Sequence, residues 1–178
     1  MPKIPNVAVF DTAFHQTMPK ENFLYAVPYG DYTEHHLRKY GFHGTSHYYV
    51  SNEAVKLLNK KDSKVIVCHL GNGSSVSAVR DGKSISTSMG LTPLEGLIMG
   101  TRSGDIDAGV IPYLMERKGL NASQILDYLN KKSGILGISG ISSDLREVIK
   151  AANDGDKRSK IAIEMLCNRI KKYLCSYA

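Results

Sequence analysis

The spacing of apolar residues predicts strands in the first half of the chain and helices in the second. The continuous apolar run KVIVCHL, residues 64–70, predicts a strand in a sheet that is buried on both faces. NVAVFDT predicts an earlier strand over residues 7–10. SSVSAVR and KSISTS alternate apolar and polar positions on either side of Asp81-Gly82, which favours a tight turn, so they predict a β-hairpin.

Apolar residues three and four positions apart predict several helices, most of them preceded by a capping side chain. These helices cover residues 47–59, 105–118, 121–131, 144–152 and 157–178. The expected caps are Thr45 or Ser46, Asn121, and Ser142 or Ser143. Residues 15–32 are interrupted by prolines and glycine and are predicted to be a loop.

The last helical pattern reaches Ala178 without a glycine or proline to end it. Helices usually end at such a residue, so we expect the sequence to be a piece of a longer protein. Its 178 residues, 42% of them hydrophobic and 22% charged, suit a folded domain or a domain and a half rather than a disordered chain.

The net charge of +6 comes from short, scattered basic runs such as NKKDSK and RIKKY. This distribution favours a solvated surface over the basic stripe of a nucleic-acid-binding protein. The three cysteines form no CxxC pair, so they indicate neither a disulfide framework nor a zinc knuckle. Without a long apolar run or a signal peptide, the sequence predicts a cytoplasmic protein that does not enter a membrane.

Two glycine-containing stretches are candidates for phosphate binding. DGKS, residues 81–84, matches the end of a P-loop, but Ser77 stands where the first glycine is required and no helical pattern follows. We therefore interpret DGKS as a hairpin turn. HLGNGSS follows a predicted buried strand, and Gly71 and Gly73 allow close approach of the backbone to an anion. A plain tight turn between strands would also explain this second stretch.

Four further residues are considered for a functional role. Arg102 lies between two glycines, where its planar guanidinium can face a phosphate or carboxylate, although it could be an ordinary surface arginine. His43 and His47 have the spacing of a zinc pair, but no glutamate lies between them, so a catalytic His43 and a structural His47 are favoured. Asp11 ends a predicted strand, as active-site acids of α/β proteins often do, or is a cap.

Five motifs occur in the same order as in acetate kinases, so the chain resembles the acetokinase family: VAVFDTAFHQTMP, YGFHGTSH, HLGNGSSV, TSMGLTPLEGLIMGTRSGDID and GISGISSDLRE. This resemblance implies an α/β, ribonuclease H-like lobe of the acetate and sugar kinase, Hsp70 and actin superfamily, with a mixed sheet and flanking helices. Residues 1–178 would be most of the second lobe, without the first lobe or the C-terminal segment. The full-length protein would be a homodimer that transfers a phosphoryl group reversibly from ATP to acetate, with Mg²⁺, giving acetyl phosphate and ADP.

The resemblance also implies roles for individual residues, none of them as a direct metal ligand. Asp11 resembles the catalytic aspartate, and His43 and Arg102 resemble the two groups that stabilise the transition state. The remaining matches resemble residues that bind the nucleotide: His69, Leu70, Gly71, Asn72, Gly73, Asp144, Leu145 and Arg146.

The chemistry agrees with these roles. Acetate is already an anion, so its attack needs positioning and charge neutralisation rather than a base. Asp11 is therefore expected to orient Arg102 or to hold Mg²⁺ through water, rather than to move a proton.

The sequence departs from the family at Ser86, where an acid is common, and at Ala108, where proline is usual. Segments that supply further substrate, adenine and Mg²⁺ contacts in the family have no counterpart, so this chain alone is expected to lack normal turnover. The alternatives are a propionate or butyrate kinase, or a non-catalytic nucleotide-binding or assembly module.

Overall fold

The computed structural model describes residues 4–59 and 62–178. Its three strands form one antiparallel sheet in the order β1-β2-β3: β1 (Lys64–Leu70), β2 (Ser74–Arg80) and β3 (Lys83–Thr87). Asp81 and Gly82 join β2 to β3 with φ values of 50° and 74°. Two consecutive positive φ values are typical of a tight hairpin turn that follows the twist of the strands, so the predicted hairpin is confirmed.

The sheet differs from the prediction in two ways. All pairing among the described strands is antiparallel, so the mixed sheet is not formed within this part of the chain. In β1, an edge strand of this sheet, only Val67 is buried, so the strand is not covered on both faces as predicted.

The predicted strand over residues 7–10 is wrong. These residues are exposed and have no strand conformation, with Val7 83% and Val9 74% accessible. A strand requires a neighbour that completes its hydrogen bonds, and none of the described strands pairs with this segment.

Eight α-helices and a short 3-10 helix (Ala13–Thr17) account for most of the other described residues. The α-helices are α1 (Lys20–Phe23), α2 (Tyr29–His35), α3 (Gly44–Leu58), α4 (Val110–Lys118), α5 (Ala122–Lys131), α6 (Gly134–Ser139), α7 (Leu145–Asn153) and α8 (Lys157–Tyr177). None of them is long and apolar enough to cross a membrane, as far as the described residues show. Lys60 and Lys61, part of the basic run NKKDSK, lie outside the described residues.

Local capping explains where several helices begin. The predicted Asn121 cap is confirmed, because its side chain accepts the N–H of Gln124 in a reciprocal capping box. Asp144, rather than Ser142 or Ser143, caps α7, since its side chain accepts the N–H of Arg146.

Other element boundaries were predicted wrongly. Helix α3 begins at Gly44, directly after a left-handed His43, rather than behind a Thr45 or Ser46 cap. Helix α4 begins only at Val110, since residues 105–109 have no regular helix. The 3-10 helix, α1 and α2 occupy the segment predicted to be a loop, where proline precedes both short helices.

A small apolar core joins α6 and α7 to α8. Its buried members are Ile98, Ile135, Val148 and Ala162, with Ile138, Ile163 and Leu166 packed around them. Ile98 belongs to the irregular segment between β3 and α4, whose residues 96–100 are all buried. Because residues 96–100 are buried, the glycine-rich segment that contains Arg102 is packed against the helical core.

Candidate active site

Two glycine-rich loops meet beside the start of α3. The N–H of Gly100 donates to the carbonyl oxygen of Asn72 at 3.0 Å, which joins the loop of Arg102 to the loop after β1. A Cβ built on Gly73 would lie 3.4 Å from Nε2 of His43 and 3.5 Å from Nη1 of Arg102. The fold therefore brings His43, Arg102 and the HLGNG loop to one place.

Asp11 holds the beginning of α3. Its Oδ2 accepts the backbone N–H of His43 at 2.7 Å, and its carbonyl oxygen accepts the N–H of Gly44 at 2.8 Å. His43 has a φ of 56°, in the left-handed region that non-glycine residues adopt at a cost. Asp11 is thus a cap that fixes the backbone from which the His43 side chain projects.

A serine joins two of the histidines. The hydroxyl of Ser75 on β2 lies 2.8 Å from Nδ1 of His43 and 2.7 Å from Nε2 of His47. The ring of His43 stacks on that of His69 at 4.0 Å between centroids, and Nδ1 of His69 lies 2.9 Å from the hydroxyl of Ser46. Sequence analysis missed Ser75. It lies in a strand rich in serine and valine, and only the position of this strand directly after GNG could have indicated a functional residue.

Burial governs the charge of these rings. Burial lowers the pKa of His47 to about 3, and burial followed by the nearby His69 lowers the pKa of His43. His43 and His47 both direct a nitrogen at Ser75, an arrangement of hydrogen bonds rather than of zinc ligands. Within residues 4–59 and 62–178, no group of three or more histidine, cysteine or acidic side chains is placed to hold a metal ion.

The guanidinium of Arg102 is half-buried and anchored from one side. Its Nη1 donates to the carbonyl oxygen of Pro93 at 3.2 Å and lies 3.7 Å from Sδ of Met99. The carbonyl oxygen of Arg102 accepts the N–H of Met99 at 3.1 Å, which closes a tight turn. The planar group is therefore held in place while other donors remain for an anion.

A cavity of about 370 Å³ opens next to this cluster, between the HLGNG loop and the start of α7. It is lined by candidate nucleotide-binding residues and by the apolar core: Leu70, Gly71, Asn72, Asp144, Leu145, Gly100, Ser143, Ile98, Ile135 and Leu166. Its size and mixed lining are typical of a small-molecule site.

The other sequence candidates for the nucleotide do not line this cavity. His69 and Gly73 lie with the histidine cluster. Arg146 is exposed and donates through Nε to both carboxylate oxygens of Asp144, which lowers the pKa of Asp144 to about 2.

Residues that the sequence set apart from the site do lie elsewhere. The DGKS stretch forms the hairpin turn, where Asp81 accepts the N–H of Ser63 and donates its own N–H to the Ser63 carbonyl. The hydroxyl of Ser86 contacts the Tyr177 hydroxyl at 3.4 Å near the end of α8. Ala108 is exposed just before α4.

Comparisons with known proteins identify the family of the chain. Residues 1–178 match the model of the Acetokinase family. The acetate kinase of Treponema denticola is 58% identical over 180 residues, covering 100% of this chain but 45% of that protein. The acetate kinase of Bacillus subtilis is 57% identical, with 46% of its length covered. The chain thus spans about half the length of the curated relatives it matches.

Solved structures give the same result. The crystal structure of Porphyromonas gingivalis acetate kinase superimposes with a TM-score of 0.93 at 52% identity, over 96% of this chain and 43% of that one. A propionate kinase from Francisella tularensis superimposes with a TM-score of 0.96 at 55% identity, over 99% and 46% of the two chains. The α/β fold class is confirmed by these structures, and the resemblance of the five motifs by the family model. The chain belongs to the acetokinase family.

Proposed function

We propose that this chain carries phosphoryl-transfer residues of an acetate kinase, which converts ATP and acetate reversibly into acetyl phosphate and ADP. The observation that carries the proposal is the convergence of His43 and Arg102 on Gly73. A half-buried guanidinium and an imidazole beside a glycine loop form a site that suits a phosphoryl group during its transfer. Relatives at 57–58% identity are named acetate kinases.

ATP binds in the cavity between the HLGNG loop and α7, with its phosphates towards Gly73. The apolar wall formed by Ile98 and Ile135 takes the uncharged part of the nucleotide, and Asn72 and Asp144 offer polar contacts at the rim. This orientation brings the terminal phosphate next to His43 and Arg102.

A carboxylate oxygen of acetate then attacks the terminal phosphorus in line, while the bond from phosphorus to the ADP oxygen breaks. Arg102 neutralises charge on the transferring group and on the incoming carboxylate, and His43 donates a hydrogen bond. No base is needed, because acetate carries no proton to remove.

Asp11 is the group that fits a magnesium ion here. Its carboxylate is exposed, and only Oδ2 is engaged by a hydrogen bond among the described residues. Mg²⁺ is commonly held by one or two carboxylates together with phosphate oxygens and water, so a single aspartate beside a nucleotide site is sufficient. When bound, the ion would neutralise phosphate charge, while Asp11 also keeps His43 in place.

We further propose that residues 1–178 form most of the second lobe of a longer enzyme, which is a cytoplasmic homodimer binding neither nucleic acid nor membrane. The resemblance to the family is the support for the lobe and the dimer, and the half-length match to relatives supports a longer enzyme. Three free cysteines favour a reducing compartment. Light scattering on the longer protein would measure its oligomeric state.

The direct test is trapping of acetyl phosphate with hydroxylamine after incubation with ATP, Mg²⁺ and acetate. In the longer protein that contains this chain, we expect product that depends on both substrates and disappears in Arg102→Ala, but not in Arg80→Ala. Arg80 is an exposed arginine at the end of β2 and serves as the matched control. A folded chain that neither forms product nor binds ATP would overturn the proposal.

Two alternatives have specific support. The similarity to a propionate kinase, at 55% identity, favours tests of propionate and butyrate in parallel, and a larger kcat/KM for either would replace acetate as the substrate. The half-length match favours a non-catalytic nucleotide-binding module, which would bind ATP with no product from any acid.

A further inference from the structure

Among the hydrogen bonds of the described residues, the hydroxyl of Ser75 is the only link between the side chains of His47 and His43. It lies 2.7 Å from Nε2 of His47 and 2.8 Å from Nδ1 of His43. Ser75 and His47 are both fully buried, so water does not compete for these bonds. A hydroxyl has one proton to donate, so it cannot donate to both rings at once.

The position of the proton on His47 decides the direction of these bonds. Nδ1 of His47 is buried and has no hydrogen-bond partner in the part of the chain that the structure describes. A proton on Nδ1 would therefore be a buried donor without an acceptor, which is rarer and less favourable than an unpaired acceptor. The His47 proton accordingly belongs on Nε2, where it is donated to Ser75.

The remaining bond is then determined. Ser75 accepts from His47 and has its own proton left for Nδ1 of His43. If Nδ1 of His43 also carried a proton, both rings would donate to Ser75 and the serine proton would have no acceptor among the described residues. His43 therefore accepts at Nδ1 and carries its proton on Nε2, the nitrogen that lies beside Gly73 and Arg102.

We propose that Ser75 and His47 are positioning residues that fix the proton of His43 on Nε2, so that His43 faces the transferring phosphoryl group as a hydrogen-bond donor. The inference deepens the proposed function, on which it rests for the identity of the ligand. It makes His43 a donor that does not abstract a proton, in keeping with a reaction that needs no base. The stacked ring of His69 keeps the His43 ring in the plane that this bond requires.

The tautomer of His43 can be measured without turnover. The chain is labelled with ¹⁵N in its histidine rings, and long-range ¹H–¹⁵N correlation spectra at pH 7.5 separate the protonated nitrogen from the bare one. A spectrum of His43→Gln identifies the His43 signals. We expect a single tautomer of His43 with its proton on Nε2, and the same tautomer for His47.

Variants test whether Ser75 causes this preference. Ser75→Ala removes the hydroxyl, and we expect the Nδ1 shift of His43 to move towards the value of a tautomer mixture. Ser75→Thr keeps the hydroxyl and is the matched control, with His43 shifts as in the unaltered chain. If Ser75→Ala does not give a dispersed spectrum, His47→Leu replaces it, since Ser75 is then no longer oriented by a donor.

Two results would overturn the inference: a proton on Nδ1 of His43 in the unaltered chain, or unchanged His43 shifts in a folded Ser75→Ala or His47→Leu variant. The unaltered chain gives its answer even if no variant folds. Because the spectra are recorded without substrates, absence of kinase activity in the longer protein would contradict the proposed function and leave the proton positions to be judged separately.

Discussion

Gly100 lies so close to Asn72 that any side chain at position 100 would overlap the Asn72 amide. The N–H of Gly100 donates to the Asn72 carbonyl oxygen at 3.0 Å, and a Cβ on Gly100 would collide with Oδ1 and lie 2.9 Å from Cγ. The obstacle is the end of a side chain rather than backbone. Gly100→Ala should therefore displace Asn72 from the cavity and leave the fold largely intact.

We expect Gly100→Ala to weaken ATP binding by about tenfold, a loss of about 1.4 kcal/mol, with a much smaller change in thermal stability. Calorimetric titration with ATP measures the affinity. In an Asn72→Ala background the obstacle is gone, so adding Gly100→Ala should have little further effect. Additive losses in this double-mutant cycle would contradict a contact between the two positions.

Gly134 is required for a different reason, because backbone surrounds it. It has a φ of 61°, and a Cβ there would lie 2.6 Å from the carbonyl oxygen and 2.9 Å from the nitrogen of Arg102. Gly134→Ala should cost more than about 3 kcal/mol in the free energy of unfolding, since strain and overlap add and backbone cannot move aside. Urea unfolding measures the loss.

Gly119 is the matched control for this substitution. It has a similar φ of 64°, but a Cβ there would meet nothing within 4 Å. Gly119→Ala should therefore show only the cost of a left-handed alanine, about 1 kcal/mol. Equal losses for the two variants would mean that overlap with the Arg102 segment contributes nothing.

Asp11 combines a structural and a chemical role that two substitutions separate. Asp11→Ala removes the acceptor for the His43 N–H, and loss of such a cap typically costs about 1 kcal/mol of stability. Asp11→Asn keeps an acceptor oxygen and should retain most of that stability, but it removes the charge that suits Mg²⁺. Unfolding curves and product formation, measured on both variants, distinguish the roles.

We expect Asp11→Asn to be folded yet strongly impaired in product formation, with some recovery at high Mg²⁺ concentration. If Asp11→Asn instead keeps full activity at every Mg²⁺ concentration, then Asp11 acts only as the cap of α3.

Features that depend on neighbours in sequence could be predicted. The turn at Asp81-Gly82 and the helix cap at Asn121 each rest on residues at most three positions apart, and both were predicted correctly. The predicted strand over residues 7–10 was wrong, because a strand forms only where another strand pairs with it. No local pattern contains that information.

In the candidate site too, features that depend on neighbours in sequence could be predicted and features that depend on distant residues could not. Asp11, His43 and Arg102 were chosen as candidates from motifs, and the structure places all three around the start of α3 and the HLGNG loop. Ser75 could not be identified in this way. Its position depends on the antiparallel register that places it opposite His69, and on α3, which brings His47 to its hydroxyl.

The buried histidines predict a specific loss of stability in mild acid. His47 has its pKa lowered by burial from 6.5 to about 3, and burial also lowers the pKa of His15 and His43. As the pH falls, these histidines are therefore protonated in the unfolded chain before they are protonated in the folded protein. The stability that neutral rings provide is complete above pH 6.5 and decreases as the pH falls from 6.5 towards 3.

A histidine whose pKa in the folded protein lies well below the pH lowers the free energy of unfolding by up to about 1.4 kcal/mol for each pH unit below 6.5. His47 alone should therefore lower it by about 2 kcal/mol at pH 5. Urea unfolding at pH 7.5, 6.5, 5.5 and 5.0 measures this slope. The His47→Gln variant has no titrating ring at position 47. Its slope of the free energy of unfolding against pH should therefore correspond to about one proton fewer, even if its stability at pH 7.5 is lower. A slope that is the same in His47→Gln as in the unaltered chain would mean that His47 is not buried in its neutral form, and that water or a charged partner reaches its ring.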